Sequence, residues 1–492
     1  MSSSKCILQS MVFSDECCEA EELYMRSSGN VLCNGTMLRL TEGAWISTDT
    51  YMNAFDLGVW KKYTSITQVS LQLEISGICT VALILISKGE EKTLSIRDND
   101  TTEKRHIELF LPKETENGIV YIRIEAAGET KVYSAKYTVD DNRDTAKIRL
   151  GLAVCTYHRP EYIARNLDKL RASRFFLNGD RLQGELHVHI VDNASELPVI
   201  REPQIELFHN PNTGGSGGFS RGIREFRKRQ DSYQLTHMIF MDDDVNFIPE
   251  TFYRLYAFLS HMKTEFADQV IAGRMFRTDN RQIQYTAAEI WNGGDLRHIG
   301  LNCDMTDRSV LENMNDSTGA EYGGWWFCCF PMSFVMNNDP LPFFLHCDDV
   351  EYGLRHGGTP LVLNGIQVWH DTYEYRQSPV IQYYDTRNPL IVNAMYLDEQ
   401  DGNEVYRRWF EAITKAHIQK DYKLEYMIIK GMRDFLKGEG YLRSDIQKKC
   451  NANINRKKNF SRYENMFFWR MTAFAFSSRF SKVTSAYRKI HL

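Results

Sequence analysis

No stretch of the 492 residues is apolar enough to cross a bilayer. The longest purely aliphatic run, Val81 to Ile86, falls far short of the roughly 18 residues that a spanning helix needs, which excludes a polytopic membrane protein. The eleven cysteines form no CxxC array and show no zinc spacing. Cys17-Cys18 and Cys328-Cys329 are adjacent pairs, a geometry that seldom closes a disulfide, so reduced thiols of a cytosolic protein are expected. Basic charge is not in excess: 59 Lys and Arg stand against 64 Asp and Glu, a net charge of −5 that argues against a general nucleic-acid binder. No internal repeat or low-complexity tract is present. The opening MSSSKCILQSMVFSDECCEAEE turns acidic after a short apolar patch, so no secretory leader is read there. What remains is an ordinary globular composition, 43% apolar and 25% charged, long enough for about two to four domains.

Three textures divide the chain, at 1–146, 147–395 and 396–492. The first is β-rich. Ser70, Gln72 and Glu74 alternate with Leu71, Leu73 and Ile75, and VALILIS, HIELFLP and IVYIRIEA follow with turns at KGEE and KETENG. A β-sandwich is the packing expected of such strands, with YTVDDNRDTAKIRL as the linker out of it. The second part alternates strands with helices. IRLGLAVCTYHR, ELHVHIVDNAS, IELFHN and THMIFMDDD read as strands, RPEYIARNLDKLRAS as a helix, and PNTGGSGGFS as a loop. This is the pattern of an α/β unit with a mostly parallel sheet, whose ligands sit beyond the carboxyl ends of the strands. The third part reads as helical, in EVYRRWFEAITKAHI and YKLEYMIIKGMRDFLKG. Its tail, Lys448 to Leu492, holds eleven Lys and Arg against the single acid Glu464, interleaved with Met466, Phe467, Phe468, Trp469, Phe474, Phe476 and Phe480. Such a tail suits an anionic membrane surface; a packed terminal helix with a solvated basic rim is the alternative.

Chemistry concentrates at five places. Asp242-Asp243-Asp244 follows the apolar run Met238 to Met241. Three adjacent carboxylates repel one another, and a shared divalent cation removes the conflict; a helix cap would need only one. On a continued strand Asp242 and Asp244 point the same way. Asn212 to Phe219 contains Gly214, Gly215, Gly217 and Gly218, which let backbone approach an anionic ligand. No Gly-Lys-Ser/Thr follows, so it is not a Walker loop. Asp348-Asp349, after Phe343, Phe344 and His346, can supply a general base with a raised pKa, or else simply open a helix. His370 ends the run LVLNGIQVWH and is a candidate third metal ligand. Trp325 and Trp326 are a candidate sugar platform, or ordinary core aromatics.

Together GLAVCTYHRP, VDNAS, NTGGSGGFSRG, MDDDV, GGWWF, FFLHCDDVEYG and VWH resemble the GT-A glycosyltransferases of family 2. Within them the chain is most similar to bacterial galactofuranosyltransferases of the galactan-polymerase group, and TYMNAFDLGVWKKYTSITQVSL is similar to that group's N-terminal β-sandwich signature. The resemblance spans about residues 30–395. It implies a Rossmann-like GT-A core and an inverting transfer of galactofuranose from UDP-galactofuranose. The acceptor implied is a lipid-linked oligosaccharide at the inner face of the plasma membrane, and a homo-oligomer is compatible with it. Thr156 and Arg159 would hold uracil and diphosphate, Asp192 the uridine, and Asn212, Gly214, Gly215 and Gly217 the donor pocket. Asp242, Asp244 and His370 would bind Mn²⁺ or Mg²⁺, with Asp243 nearer the nucleotide or donor sugar. Asp349 would be the base with Asp348 beside it, and Trp325, Trp326 and His346 would shape the acceptor site. Cys347 stands where the group has tryptophan, which leaves acceptor choice and processivity open. Competing expectations are a family 2 transferase using dTDP-rhamnose or UDP-galactopyranose, and a non-catalytic glycan-binding protein.

Overall fold

The structure is a computed structural model that describes residues 5–35, 37–140, 145–372, 378–397, 402–454 and 456–491. In the N-terminal part, Val69–Ser87, Glu90–Phe110 and Ile119–Asp140 form a long antiparallel meander. Lys88 and Gly89 join the first two strands with φ of 53° and 78°, the paired left-handed residues that match a two-residue hairpin to the strand twist. Ile119–Asp140 is central. Its other edge pairs with Lys5–Ser10, Leu38–Leu40, Trp45–Ser47 and Phe55–Asp56; Arg26–Ser28 and Val31–Cys33 add to Trp45–Ser47 and Leu38–Leu40, so that nine strands among the described residues make one antiparallel sheet. Strand Ile119–Asp140 runs into the expected linker, whose residues 141–144 lie outside the described residues.

This sheet packs directly on the second part. Leu71, Leu73, Val81 and Leu83 share one apolar cluster with Phe252, Leu255 and Phe258 of the helix Glu250–Ser260. On that helix Glu250 and Arg254 form a buried pair, and each takes one side of the Ser10 peptide: Ser10 N–H donates to Glu250 Oε1 at 2.7 Å, and Arg254 Nη2 donates to Ser10 O at 3.0 Å.

The second part is a mixed α/β unit, consistent with a GT-A domain. Leu150–Thr156, Leu186–Asp192, Ile205–His209 and His237–Asp242 are strands as the apolar runs predict, parallel, with the first strand between the second and fourth. The expectation of a mostly parallel sheet needs correction, because four of its pairings are parallel and four antiparallel. Between Ile271–Arg277 and Cys328–Pro331 the described chain makes hairpins and a 3₁₀ turn, with no crossover α-helix. Without a crossover the chain can only return antiparallel, and Cys328–Pro331 enters the sheet in that sense between His237–Asp242 and Ile271–Arg277. Leu361–His370 then runs parallel to Ile271–Arg277. The carboxyl ends of His237–Asp242 and Leu361–His370 therefore meet at one rim of the sheet.

A second correction concerns the glycine-rich segment. Residues Gly214–Lys228 are a helix, not a loop. A Cβ at Gly218 would stand 2.1 Å from Cys155 Sγ, and at Gly214 (φ +71°) 2.0 Å from Phe344 O. These glycines let the helix lie against the first strand and against the segment that leads to Asp348.

C-terminal helices Gly402–Ile418, Tyr422–Phe435 and Arg462–Arg488 follow. The helix Pro379–Tyr396 joins them, since its Leu390 and Ile391 share an apolar cluster with Met432, Phe435, Phe476 and Phe480. Helix Arg462–Arg488 buries Phe476, Phe480 and Tyr487 but exposes Tyr463, Phe467, Met471 and Phe474. No helix among the described residues is long and apolar enough to cross a membrane.

Candidate functional site

The metal-type group is built from two strand ends and one backbone bridge. The strand stops at Asp242, and Asp244 lies in the turn beyond it. Two residues later the chain pairs with the strand that carries His370: Asn246 N–H donates to Trp369 O, and Trp369 N–H to Asn246 O, each at 2.8 Å. That pairing brings His370 Nε2 to 2.9 Å from Asp244 Oδ1 and 3.6 Å from Asp242 Oδ2. A DxD-like acidic group thus meets an imidazole, with one ligand atom from each residue inside 4.8 Å of the others.

Arg159, at the start of helix Pro160–Arg171, donates through Nη1 to Asp243 Oδ1 and Asp244 Oδ2 at 2.8 Å each. Burial raises the Asp243 pKa, and the Arg159 charge opposes the rise. The same helix holds the acidic turn from below. Asn166 Nδ2 donates to Asp243 O, Arg165 Nη2 to Val245 O, and Lys169 Nζ to Asn246 Oδ1. Sequence reading missed these three residues. The available signal was Asn166, a polar residue between the core positions Ile163 and Leu167.

Asp348 and Asp349 open the helix Asp348–His356. Phe344, His346 and Cys347 lead into it with φ of 78°, 61° and 65°, a costly conformation that survives where surroundings enforce it. The enforcement comes from helix Pro379–Tyr396, where Arg387 Nη2 donates to Phe343 O at 2.6 Å and Asn388 Nδ2 to Leu345 O at 2.6 Å and His346 O at 2.9 Å. Both residues are almost wholly buried, and neither was singled out by sequence. Burial, then the Asp349 charge, lifts the Asp348 pKa well above the carboxylate range; burial does the same to Asp349, against a hydrogen bond from Val350 N–H at 2.8 Å.

These groups border a cavity of about 720 Å³ lined by Gly215, Asp242, His346, Asp348, Asp349 and His370, with aromatic walls. Trp325 and Trp326 line it but are buried. Trp325 stacks on Phe240 at 4.5 Å, and Trp326 Nε1 donates to Gly273 O at 2.8 Å. Glu289, paired with His298 at 2.7 Å, and Asp385 also face the cavity and were not expected.

Other donor-side candidates sit along the neighbouring strand ends and the start of helix Gly214–Lys228, and of these only Gly215 is among the described lining residues. Thr156 is buried at the end of its strand. The Asp192 carboxylate is committed to the following turn, accepting from the N–H groups of Ala194, Glu196 and Leu197 at 2.8 Å each. Asn212 Oδ1 accepts from Gly214 N–H. Gly217 packs on Thr213, whereas a Cβ at Gly215 would meet only Asp348 Oδ2, at 3.8 Å.

A mixed α/β unit with acids and an imidazole gathered at a strand-end cavity matches one class of enzyme by sequence. Residues 152–315 fit the family model described as Glycosyl transferase family 2, and residues 10–140 fit that of the Galactofuranosyltransferase 2 N-terminal region. The chain is a glycosyltransferase. It is 25% identical to Galactofuranosyltransferase GlfT2 of Mycobacterium tuberculosis (strain ATCC 25618 / H37Rv) over 458 residues, 84% of this chain and 68% of that one. To the protein of the same name from Mycolicibacterium smegmatis it is 24% identical over 452 residues, covering 84% and 67%. The resemblance to family 2 transferases, and among them to galactofuranosyltransferases, thus holds over most of the chain. A CBM6 of a laminarinase from Zobellia galactanivorans covers 27% of this chain and 99% of its own at 10% identity and a TM-score of 0.19.

Proposed function

We propose that the protein is an inverting, metal-dependent galactofuranosyltransferase. It moves galactofuranose from UDP-galactofuranose to a lipid-linked glycan in bacterial cell-surface polysaccharide synthesis. The observation that carries the reading is the meeting of Asp242, Asp244 and His370 beside the cavity that holds Asp348 and Asp349. The names of the two mycobacterial relatives support the choice of sugar.

The donor set fits Mn²⁺ or Mg²⁺, since two carboxylates and an imidazole suit such cations and their ligand atoms lie close enough to share one. When bound, that ion would offset the charge left on UDP. Thr156, Arg159, Asp192, Asn212, Asp243 and the glycines Gly214, Gly215 and Gly217 make up the donor side in this reading; Trp325, Trp326 and His346 make up the acceptor side. Asp349 takes the proton of an acceptor hydroxyl. The oxygen then bonds to the anomeric carbon on the face opposite UDP, the bond to UDP breaks, and the configuration inverts. Burial, with the charges of Asp242 and Glu289, keeps the pKa of the base high enough to accept that proton, and Asp348 lies beside it.

The division at 146/147 and 395/396, with a sandwich-type first domain, belongs to the same reading. So does peripheral attachment to the inner face of the plasma membrane through Tyr463, Phe467, Met471 and Phe474, flanked by the basic residues of helix Arg462–Arg488. The test is a donor screen with purified protein and synthetic glycan acceptors, the product read by NMR. Transfer of galactofuranose with inverted configuration is expected. Transfer from another nucleotide sugar alone, or retained configuration, refutes the reading.

A further inference from the structure

One ion pair on the cavity wall joins His346, placed above on the acceptor side, to Asp385, which has no role so far. His346 Nδ1 lies 2.5 Å from Asp385 Oδ1, and both residues line the cavity together with Asp348 and Asp349. The geometry is fixed from one element. Helix Pro379–Tyr396 carries Asp385, and its Arg387 and Asn388 clamp the carbonyls of Phe343, Leu345 and His346. The same helix thus sets the backbone that bears the imidazole and supplies the carboxylate that meets it.

The cavity is strongly acidic. Asp348 and Asp349 face the pair from the helix that follows it, Asp242 from the strand end, Glu289 from the hairpin, and Asp421 from the C-terminal helices. Among the described lining residues there is no lysine or arginine. Arg387 lies behind the wall, donating to Phe343 O, Tyr383 Oη and Asn388 Oδ1. Positive charge from the protein at the wall must come from histidine. His298 is bonded to Glu289, and His370 is engaged by Asp242 and Asp244. His346 is the histidine placed to serve the Asp348–Asp349 pair.

We propose that Asp385 and His346 are positioning residues for the base: Asp385 holds His346 as an imidazolium at the cavity wall, and that fixed charge keeps Asp349 ionised. Burial works against charge on His346, but the carboxylates of Asp385, Asp348 and Asp349 outweigh it and raise its pKa. In return the His346 charge draws both aspartates down, against their burial. The inference rests on Asp349 being the base.

The test is the pH profile of kcat at saturating donor and acceptor for the wild type, Asp385→Asn, His346→Gln, Asp349→Asn and the double variant Asp385→Asn/His346→Lys. Removing the imidazolium raises the Asp349 pKa. The acid limb therefore moves to higher pH by about one to three units in Asp385→Asn and His346→Gln, the range for loss of one neighbouring opposite charge. Lysine stays protonated without Asp385, so the double variant returns the limb toward its wild-type position. An even loss of rate at all pH values with an unmoved limb, or failure of lysine to restore it, reduces the pair to scaffolding and overturns the inference. Asp349→Asn separates the two claims. Turnover within tenfold of wild type in that variant refutes the base and the inference with it, whereas an Asp349→Asn slowed by about 10²–10⁴ beside an unmoved limb in Asp385→Asn refutes the inference alone.

Discussion

Replacing Asp349 by asparagine should separate catalysis from stability. The Asp349 Oδ1 atom accepts the Val350 N–H at 2.8 Å in the first turn of its helix. The amide oxygen of asparagine keeps that bond and nearly the same volume, and it loses only the capacity to take a proton. General-base catalysis contributes about 10²–10⁴ in rate, so kcat should fall by that factor, equivalent to roughly 3–5 kcal/mol of barrier. Stability should move the other way. The folded-state pKa of Asp349 is raised by burial. Its contribution to stability is therefore complete at low pH and is lost as pH rises through that folded pKa. At pH 7.5 the charged side chain is a liability that asparagine removes. The expected result is a transferase slowed by two to four orders of magnitude, with a Tm equal to or above wild type and unchanged UDP affinity, read by single-turnover assay, thermal melt and calorimetry. Turnover within tenfold of wild type, or inactivity accompanied by a collapsed Tm, refutes the reasoning.

Three further outcomes follow from packing and charge. Gly218→Ala places a methyl 2.1 Å from Cys155 Sγ and should cost about 1–3 kcal/mol in urea unfolding; Cys155→Ala in the same chain should recover part of it, and strict additivity would contradict the contact. Asn166→Ala leaves the buried Asp243 carbonyl without its donor at 2.9 Å; a loss of about 1–3 kcal/mol together with weaker UDP binding is expected, and unaltered UDP affinity would separate this residue from the site. His189 is stacked on Phe226 at 3.6 Å, and burial lowers its pKa to about 3. Its contribution to stability is present above about pH 6.5 and lost as pH falls toward 3, so His189→Phe should lose less stability than wild type between pH 7 and 5, by up to about 2 kcal/mol; identical slopes would refute this.

The parts of the fold that were legible in sequence are those set by local pattern. Alternation around Leu71–Ile75 and the apolar runs before Thr156, Asp192 and Asp242 located strands, and the acids of Asp348-Asp349 marked a helix start. Contacts between distant segments were not legible. The approach of His370 to Asp244 depends on the Asn246–Trp369 pairing across more than a hundred residues of chain, and no local rule encodes it. The antiparallel entry of Cys328–Pro331 likewise depends on the missing crossover before it. The glycines at 214–218 looked like a ligand loop because their local freedom is all that a sequence displays; Phe344 O and Cys155 Sγ, which exclude side chains there, come from elsewhere. Trp325 and Trp326 show the same limit, since an indole reads alike whether it awaits a sugar or seals a core.

The central claim is that Asp242, Asp244 and His370 hold the ion on which donor binding depends. Calorimetric titration of UDP into the metal-stripped protein, with and without Mn²⁺, tests it most directly. UDP should bind tightly only with Mn²⁺ in the wild type, and the Mn²⁺ dependence should vanish in Asp244→Asn and in His370→Ala. Equal UDP affinity in chelator and in Mn²⁺, or an unchanged Mn²⁺ dependence in both variants, would contradict the account.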